Sequence, residues 1–249
     1  MISGAEGPNF WKLAKAAAAV SIQPHGGDLW FGDAPFVHTT GGNIDTITTV
    51  RGKTLTDGGS SSRRPSYAEP AGTWNGSTNS LDGAANTASG AGAFTHLLEA
   101  ALGNTASHFF SDYGPSTARS GVVSDIGATV GSVYELQGAA VNEATTTTTG
   151  PDAVRAVRVI PVDNSLGTAA IKAVYRNGID VKAGFAASGD MTGKTLGAGN
   201  WCLGNRAFDP TNATYAGAMT ASAGGIVLAA MSSGEAAAYT NAIRILRNL

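Results

Sequence analysis

Hydrophobic and polar positions alternate most regularly in the last third of the chain, from Ala170 to Leu249. In the segment AIKAVYR, which begins this stretch, apolar side chains fall on alternate positions, the period of a β-strand. Asn177-Gly178 follows, and this dipeptide is typical of a type I′ turn because both residues tolerate positive φ. The pattern predicts a β-hairpin whose return strand begins at Ile179.

Strand-length apolar pieces, bounded by Gly, Pro, Asn or Thr, recur along most of the chain. The first strands are expected between Asp28 and Val50, and loops or hairpins with Asp57-Gly58-Gly59 and Asn75-Gly76 turns are expected after them. A later strand starts at Trp201 and ends at Gly204. Because long helices do not separate these pieces, the sequence predicts an all-β fold, an antiparallel β-sandwich.

The last apolar stretch, from Tyr215 to Leu228, predicts one or two strands broken at Gly224-Gly225. Ser232 and Glu235 then have the spacing of a capping box, which predicts a short C-terminal helix to about Leu246.

Two other segments have helical spacing. Phe94 to Leu102 (FTHLLEAAL) predicts a short helix between strands. NFWKLAKAAAAV, near the start, predicts a second short helix within an N-terminal arm, residues 1–25, which docks on the domain or on a neighbouring subunit. Residues 26–249 are expected to form one domain.

Composition excludes several classes of partner. Sixteen basic and eighteen acidic residues give a net charge of -2 without a basic run, so we expect no nucleic acid partner. Charged residues are 14% of the chain, below the roughly 25% usual for soluble domains, which favours a surface that is covered by neighbours or lies outside the cytosol. We expect no signal peptide and no membrane anchor. Cys202, the single cysteine, is expected to be a buried apolar residue.

The sequence contains no recognisable catalytic set. An E-x-D-x-E strand, an H-x-x-x-H pair and a G-x-S-x-G turn are all absent, so a glycoside hydrolase is the least favoured function. We therefore predict no enzyme activity and no cofactor.

Two segments resemble concanavalin A-like, laminin-G-like jelly-roll domains. The C-terminal half matches the order of hairpin, strand, strand and S-x-x-E turn in that family through Tyr175, Asn177, Gly178, Leu203, Gly204, Tyr215, Gly217, Met219, Met231, Ser232 and Glu235. An upstream segment resembles such domains in bacteriophage virion proteins through Arg64, Pro65, Tyr67, Asn75, Gly76, Leu81, Asp82 and Gly83.

The resemblance implies a structural protein on the exterior of a bacteriophage-like particle, either head decoration or tail component. Other virion proteins and copies of the chain itself would be the partners, and the virion the location. The alternative is a carbohydrate-binding module for host adhesion. The resemblance also implies Asp82 and Asp209 as candidate Ca²⁺ ligands, although a turn role is favoured for both. For a glycan or partner contact we single out Trp74, Asn75 and Tyr67, because Trp74 lies beside a turn and is expected to be exposed, whereas Trp201 is expected in the core.

Overall fold

The computed structural model describes residues 25–85, 90–103, 107–113, 119–124, 132–137, 141–146, 154–182, 185–188, 190, 192–193, 195, 200–205, 211, 213 and 216–249. The predicted N-terminal arm lies outside these residues except for His25.

The described chain is built almost entirely from β-strands. The first nine strands are β1 (Gly27–Phe31), β2 (Val37–Thr40), β3 (Asn43–Thr48), β4 (Thr54–Thr56), β5 (Ser66–Ala68), β6 (Ala71–Asn75), β7 (Leu81–Ala85), β8 (Ala93–Leu102) and β9 (Ser107–Tyr113). The others are β10 (Arg119–Ser124), β11 (Ser132–Gln137), β12 (Val141–Thr146), β13 (Ala156–Asp163), β14 (Tyr175–Arg176), β15 (Ile179–Asp180), β16 (Phe185–Ser188), β17 (Asn200–Leu203) and β18 (Ala218–Val227). One α-helix, α1 (Ser233–Arg247), follows β18.

The strands form one continuous sheet, in which every described pairing is antiparallel, and this sheet folds into two layers, called here the helix-backed sheet and the second sheet. Strand β5 joins the layers, because it pairs with β6 of the helix-backed sheet and with β3 of the second sheet. In the helix-backed sheet, β18 pairs with β1 and β6 on one side and with β8 on the other, and β8 leads through β13 and β14 to β15. The second sheet runs β2-β3-β4-β7-β17-β9-β10-β11-β12-β16. The predicted all-β sandwich with a short C-terminal helix is confirmed.

Two apolar cores lie on opposite faces of the helix-backed sheet. The inner core fills the space between the sheets and contains the largest side chains, among them Trp30, Trp74, Phe94 and Trp201. The outer core lies under α1 and is formed by Leu29, Phe31, Leu97, Val157, Val159, Ala223, Val227, Met231, Ala236, Tyr239, Ile243 and Leu246. The helix-backed sheet is therefore apolar on both faces.

Strand β8 corrects the predicted helix at Phe94–Leu102. It lies between β13 and β18, and its residues alternate between the two cores: Phe94 and Leu98 face the inner core, whereas Leu97 faces α1. A strand buried on both faces carries apolar residues at nearly every position, so its spacing also satisfies a helical period. Pairing with two neighbouring strands decided the structure of this segment.

The Gly224-Gly225 pair does not break β18, which is a second correction. The strand continues through both glycines and pairs with β1 and β8 there. A Cβ atom on Gly224 would lie 2.8 Å from the indole nitrogen of Trp30, and one on Gly225 would lie 2.2 Å from the Asp28 carbonyl oxygen. These glycines allow close packing inside the sheet rather than ending a strand.

The Asn-Gly hairpin forms as its dipeptide predicts, with φ of 52° at Asn177 and 83° at Gly178. Its strands, β14 and β15, are only two residues long, and Ile171 makes an isolated bridge to Val162 instead of extending β14. The backbone of Asn177 donates to the Val157 carbonyl at 2.8 Å, and its side-chain oxygen accepts from the Val157 amide at 2.9 Å. The turn is thereby fixed to β13.

Helix α1 begins with the predicted capping box. The Ser232 hydroxyl accepts from the Glu235 amide at 3.3 Å, and the Glu235 carboxylate accepts from the Ser232 amide at 2.7 Å. His25 Nε2 lies 2.5 Å from Glu235 Oε1, and these hydrogen bonds, with that of His25 the strongest, lower the pKa of Glu235 to about 2. The first described residue of the chain is thus held at the start of the last helix.

Among the turn glycines, Gly204 should be the one whose substitution destabilises the protein most. Its φ is 81°, and a Cβ atom there would lie 2.2 Å from Cδ1 of Trp74. We expect Gly204→Ala to lower the free energy of unfolding by about 2–5 kcal/mol, through left-handed strain plus overpacking. The measurement is urea denaturation of the purified protein.

Gly59→Ala is the matched control. Gly59 has φ of 80°, but a Cβ atom there would have no neighbouring atom within 4 Å. Backbone strain alone should therefore lower the free energy of unfolding of this variant, by roughly 1–2 kcal/mol. Equal losses in the two variants would contradict the packing role of Gly204.

Candidate binding surfaces

Trp74 is buried, which corrects the prediction that it is exposed. It lies in β6 with 1% of its surface accessible, and its side chain points into the inner core. Cβ atoms on Gly72 and Gly204 would both come within 2.8 Å or less of the indole, so these glycines make room for the ring. Trp74 therefore cannot stack on a sugar, and it shares the core with Trp201, as predicted for Trp201.

Asn75 and Tyr67 reach the surface, but their side chains make hydrogen bonds within the fold. The Asn75 side-chain oxygen accepts hydrogen bonds from the amides of Ser77 and Thr78, at 3.0 and 3.1 Å, and so shapes its own turn. The half-buried Tyr67 donates its hydroxyl to the Gly32 carbonyl at 2.8 Å. Burial and the nearby carboxylates of Glu69 and Asp33 raise the pKa of Tyr67 to about 12. The three predicted contact residues do not form one exposed site.

Two adjacent arginines hold the loop between β4 and β5 in place. Arg63, which is buried, donates to the Ser80 hydroxyl at 2.9 Å and pairs with Asp82. Arg64 Nε donates to Asp57 Oδ2 at 2.6 Å. Burial alone would raise the pKa of Asp57, but its hydrogen bonds from Arg64 and from the Gly59 amide lower it. The loop is a fixed polar scaffold.

A polar cluster lies beside this loop on the outer side of β2 and β3. Its centre is Asp45, whose Oδ2 accepts from His38 Nδ1 at 3.0 Å and from the Thr40 hydroxyl at 2.6 Å, while its Oδ1 lies 2.9 Å from Arg64 Nε. His38 and Thr40 are exposed. We call these four residues the Asp45 cluster. Its carboxylate, guanidinium, imidazole and hydroxyl groups can hydrogen-bond a hydroxyl-rich ligand.

Sequence reasoning missed the Asp45 cluster. Asp45 is its single acidic residue, and the antiparallel pairing of β2 with β3 brings His38 and Thr40 to this carboxylate. The Arg63-Arg64 pair was the feature of the sequence that could have indicated this cluster, because adjacent arginines in a chain of low charge need acidic partners.

A buried ionic network joins the helix-backed sheet to the end of α1. Arg155 makes two hydrogen bonds to the fully buried Glu99, at 2.7 and 2.6 Å, and a third to the Ser222 hydroxyl. Arg247, in the last turn of α1, pairs with Asp33 through two hydrogen bonds of 3.0 and 2.8 Å. Each of these buried charges has a partner of opposite charge. The pair of Arg247 with Asp33 therefore fixes the end of the helix in position.

The free edge of the helix-backed sheet is formed by β15. Within the described residues, β15 pairs with β14 alone. Ile179 stands on this edge with 70% of its surface exposed, the largest exposure among the large apolar residues of the described strands. An exposed strand edge with an apolar side chain is a template for pairing with another chain.

The described residues contain no metal site: no three His, Cys, Asp or Glu side chains among them are placed to hold an ion. Asp82, one of the two Ca²⁺ candidates, pairs with Arg63, and Asp209 lies outside the described residues. Cys202 is buried, as predicted, and burial raises the pKa of its thiol. None of the described helices is long and apolar enough to span a membrane.

Comparison with solved structures relates this fold to known β-sandwiches. Trypanosoma rangeli sialidase in complex with 2,3-difluorosialic acid is 14% identical with a TM-score of 0.55, and the match covers 89% of this chain and 33% of the sialidase. The binding domain of botulinum neurotoxin serotype G is 10% identical with a TM-score of 0.51, covering 86% of this chain and 50% of that one.

These similarities support a concanavalin-like β-sandwich fold and, at such low identity, show the fold alone. The chain spans about a third of the length of the sialidase. A search of family models found no match to the sequence, and a search of curated proteins found none either.

His96 should make the protein sensitive to acid. It lies in β8 facing the inner core, and burial lowers its pKa from 6.5 to about 3. Between these values the unfolded chain binds a proton that the folded chain does not, so the free energy of unfolding falls as the pH drops below 6.5. The slope should approach about 1.4 kcal/mol per pH unit. Urea denaturation from about pH 7 to pH 4 measures this slope.

His96→Leu should remove this contribution to the slope, whereas His38→Gln, at an exposed position, should keep it. A His96→Leu variant that loses stability in acid as steeply as the unsubstituted protein would show that His96 is not the titrating group.

Proposed function

We propose that the chain is a non-enzymatic structural protein on the exterior of a bacteriophage-like particle, as head decoration or as a tail component. It acts by burying surface against capsid or tail proteins and against copies of itself, in the virion, after assembly in the host cytoplasm. The resemblance of residues 64–83 to jelly-roll domains of bacteriophage virion proteins supports this proposal, as does the low charge of 14%.

The exposed edge at β15 is the structural observation that carries the proposal. A subunit that acts by surface burial needs an apolar, geometrically fixed contact, and Ile179 on a hairpin tied to β13 meets both conditions. The rigid turn at Asn177-Gly178 holds Ile179 without ordering cost on binding. Val154, two residues before β13, is another exposed apolar residue.

Replacing Ile179 by lysine should weaken incorporation into the particle. The lysine charge would be buried at the contact. When the variant competes with the unsubstituted chain, we expect its amount in the particle to be lower by about tenfold or more, because the loss of one buried isoleucine side chain accounts for at least this factor. Quantitative mass spectrometry of purified particles measures the ratio.

Val50→Lys is the control, because Val50 is also an exposed apolar residue but stands in the loop after β3. Equal incorporation of the Ile179→Lys and Val50→Lys chains, with both folded, would contradict a contact at the β15 edge.

Carbohydrate binding is the second candidate. The comparison proteins favour it, since one is a sialidase solved with a sialic acid derivative and the other is a toxin binding domain. The Asp45 cluster supplies the polar groups that such a ligand requires. Tyr67 and Trp74 are unsuited to sugar stacking, so the cluster and not the aromatic residues would form the site.

A glycan array with the purified chain separates the two candidates. The carbohydrate hypothesis predicts binding that Arg64→Ala abolishes and Thr48→Ala, on the same strand pair but outside the cluster, preserves. No binding by the unsubstituted chain would remove this candidate.

A further inference from the structure

Two lysines flank Ile179 in the segment that contains the β14–β15 hairpin. Lys172 is exposed, and Lys182 is half-buried with its ammonium group donating to the Lys172 carbonyl at 3.2 Å. Within the described residues, neither lysine is paired with a carboxylate. We call Lys172, Ile179 and Lys182 the hairpin patch. It combines the most exposed large apolar side chain of the described strands with two positive charges.

The hairpin patch is small enough for one partner to cover it. The chain reaches Lys182 three residues after Ile179, so their Cα atoms lie at most about 11 Å apart. The Val181 amide donates to the Val174 carbonyl at 2.8 Å, which holds the segment of Lys182 beside that of Lys172. A standard interface buries about 800 Å² on each partner, so one interface can include an apolar contact at Ile179 and polar contacts at both lysines.

Asp180 is the one carboxylate between Lys172 and Lys182, and it is bonded to the hairpin's own backbone. Its Oδ1 accepts from the Lys182 amide at 2.9 Å and from the Val174 amide at 3.2 Å. Because the Lys182 amide is used in this way, the backbone with which a partner strand could pair is limited to β15 itself. Side chains must therefore supply most of a contact at the hairpin patch.

The other acidic side chains that the structure describes are also used inside the chain. Each of them accepts at least one hydrogen bond from a backbone or side-chain donor of the same chain. They are Asp28, Asp33, Asp45, Asp57, Glu69, Asp82, Glu99, Asp163, Asp190 and Glu235. The described carboxylates are therefore held in fixed positions by internal partners.

Several basic side chains, in contrast, make no hydrogen bond or ion pair within the described residues. They are those of Arg51, Lys53, Lys172 and Arg244, and all four residues are exposed. A copy of the chain would meet the hairpin patch with described carboxylates that are already bonded, and a two-fold contact would bring like charges together. Although the net charge is -2, this pattern favours an acidic partner that is a different protein.

We propose that the hairpin patch binds an acidic surface of a different protein of the particle, and this inference rests on the proposed function. Carboxylates of the partner pair with Lys172 and Lys182, and an apolar side chain of the partner packs on Ile179. The ion pairs determine which partner binds, because a basic surface would place like charges against both lysines. Burial of Ile179 supplies the affinity, since exposed ion pairs contribute little.

Carbodiimide cross-linking of purified particles tests the identity of the partner. The reagent condenses a lysine amine with a carboxylate that is in contact with it, and the amide bond forms as the carbodiimide takes up the lost water. We expect cross-links from Lys172 or Lys182 to aspartate or glutamate residues of a different particle protein. Lys53, which is also exposed, should give none to that protein. Mass spectrometry of the digested particles identifies the linked peptides.

Three results of this experiment would count against the proposal. Cross-links from Lys172 or Lys182 that join two copies of the chain would make a second copy the occupant of the patch. The absence of cross-links from both lysines, in particles whose other proteins react, would show that no carboxylate lies against them. Particles that lack the chain would instead refute the proposed function, and this inference with it.

Charge reversal measures the same contact by affinity. The probe is a particle assembled without the chain, and sedimentation measures how much purified chain it binds. Lys172→Glu with Lys182→Glu should raise the Kd by about tenfold or more, because carboxylates of the partner then meet like charges. Arg51→Glu with Lys53→Glu is the matched control, since it makes the same change in net charge. At physiological salt, which screens charges outside the contact, its Kd should stay within about twofold.

Lys172→Glu alone controls for misfolding, because the Lys172 side chain makes no hydrogen bond within the described residues. This variant should also weaken binding while its stability in urea stays unchanged. An equal loss of affinity in the hairpin variants and in the Arg51–Lys53 control would overturn the proposal, as would unchanged binding of the hairpin variants. Failure of the unsubstituted chain to bind the particle would refute the proposed function itself.

Discussion

Burial of the helix-backed sheet on both faces is the constraint on which this structure depends. Strand β8 lies at its centre, with Phe94 and Leu98 in the inner core and Leu97 under α1. A sheet that is apolar on both sides needs a cover on each, and the second sheet and α1 supply the two covers. The buried Glu99 is tolerated because Arg155 pairs with it, and Arg247 fixes the end of the covering helix through Asp33.

Local chemistry made some elements predictable. The Asn177-Gly178 turn and the Ser232–Glu235 capping box depend on side chains within a few residues of one another, and both form as their motifs predict. The all-β sandwich followed from the recurrence of short strands. Features decided by distant partners were not predictable: β8 resembled a helix, and Gly224-Gly225 resembled a strand break until the packing of Trp30 accounted for it.

In the candidate site, too, the features that depend on distant partners were not predictable from the sequence. Trp74 stands beside an exposed turn in the sequence, yet strand alternation and the space left by Gly72 and Gly204 turn it into the core. The Asp45 cluster is assembled by the pairing of β2 with β3 and by Arg64 from the loop after β4, and these residues match no known sequence motif. The concanavalin-like fold hosts many functions, and the exposed edge at β15 is the feature on which our proposal of surface burial rests.

A reconstruction of the assembled particle by electron cryomicroscopy tests the central claim most directly, because it shows both where the chain is and which of its surfaces is covered. Our account predicts that the chain lies on the exterior of the head or tail, with the β14–β15 edge and Ile179 against a neighbouring subunit. A particle that lacks the chain, or one in which this edge faces solvent in every copy, would contradict the account.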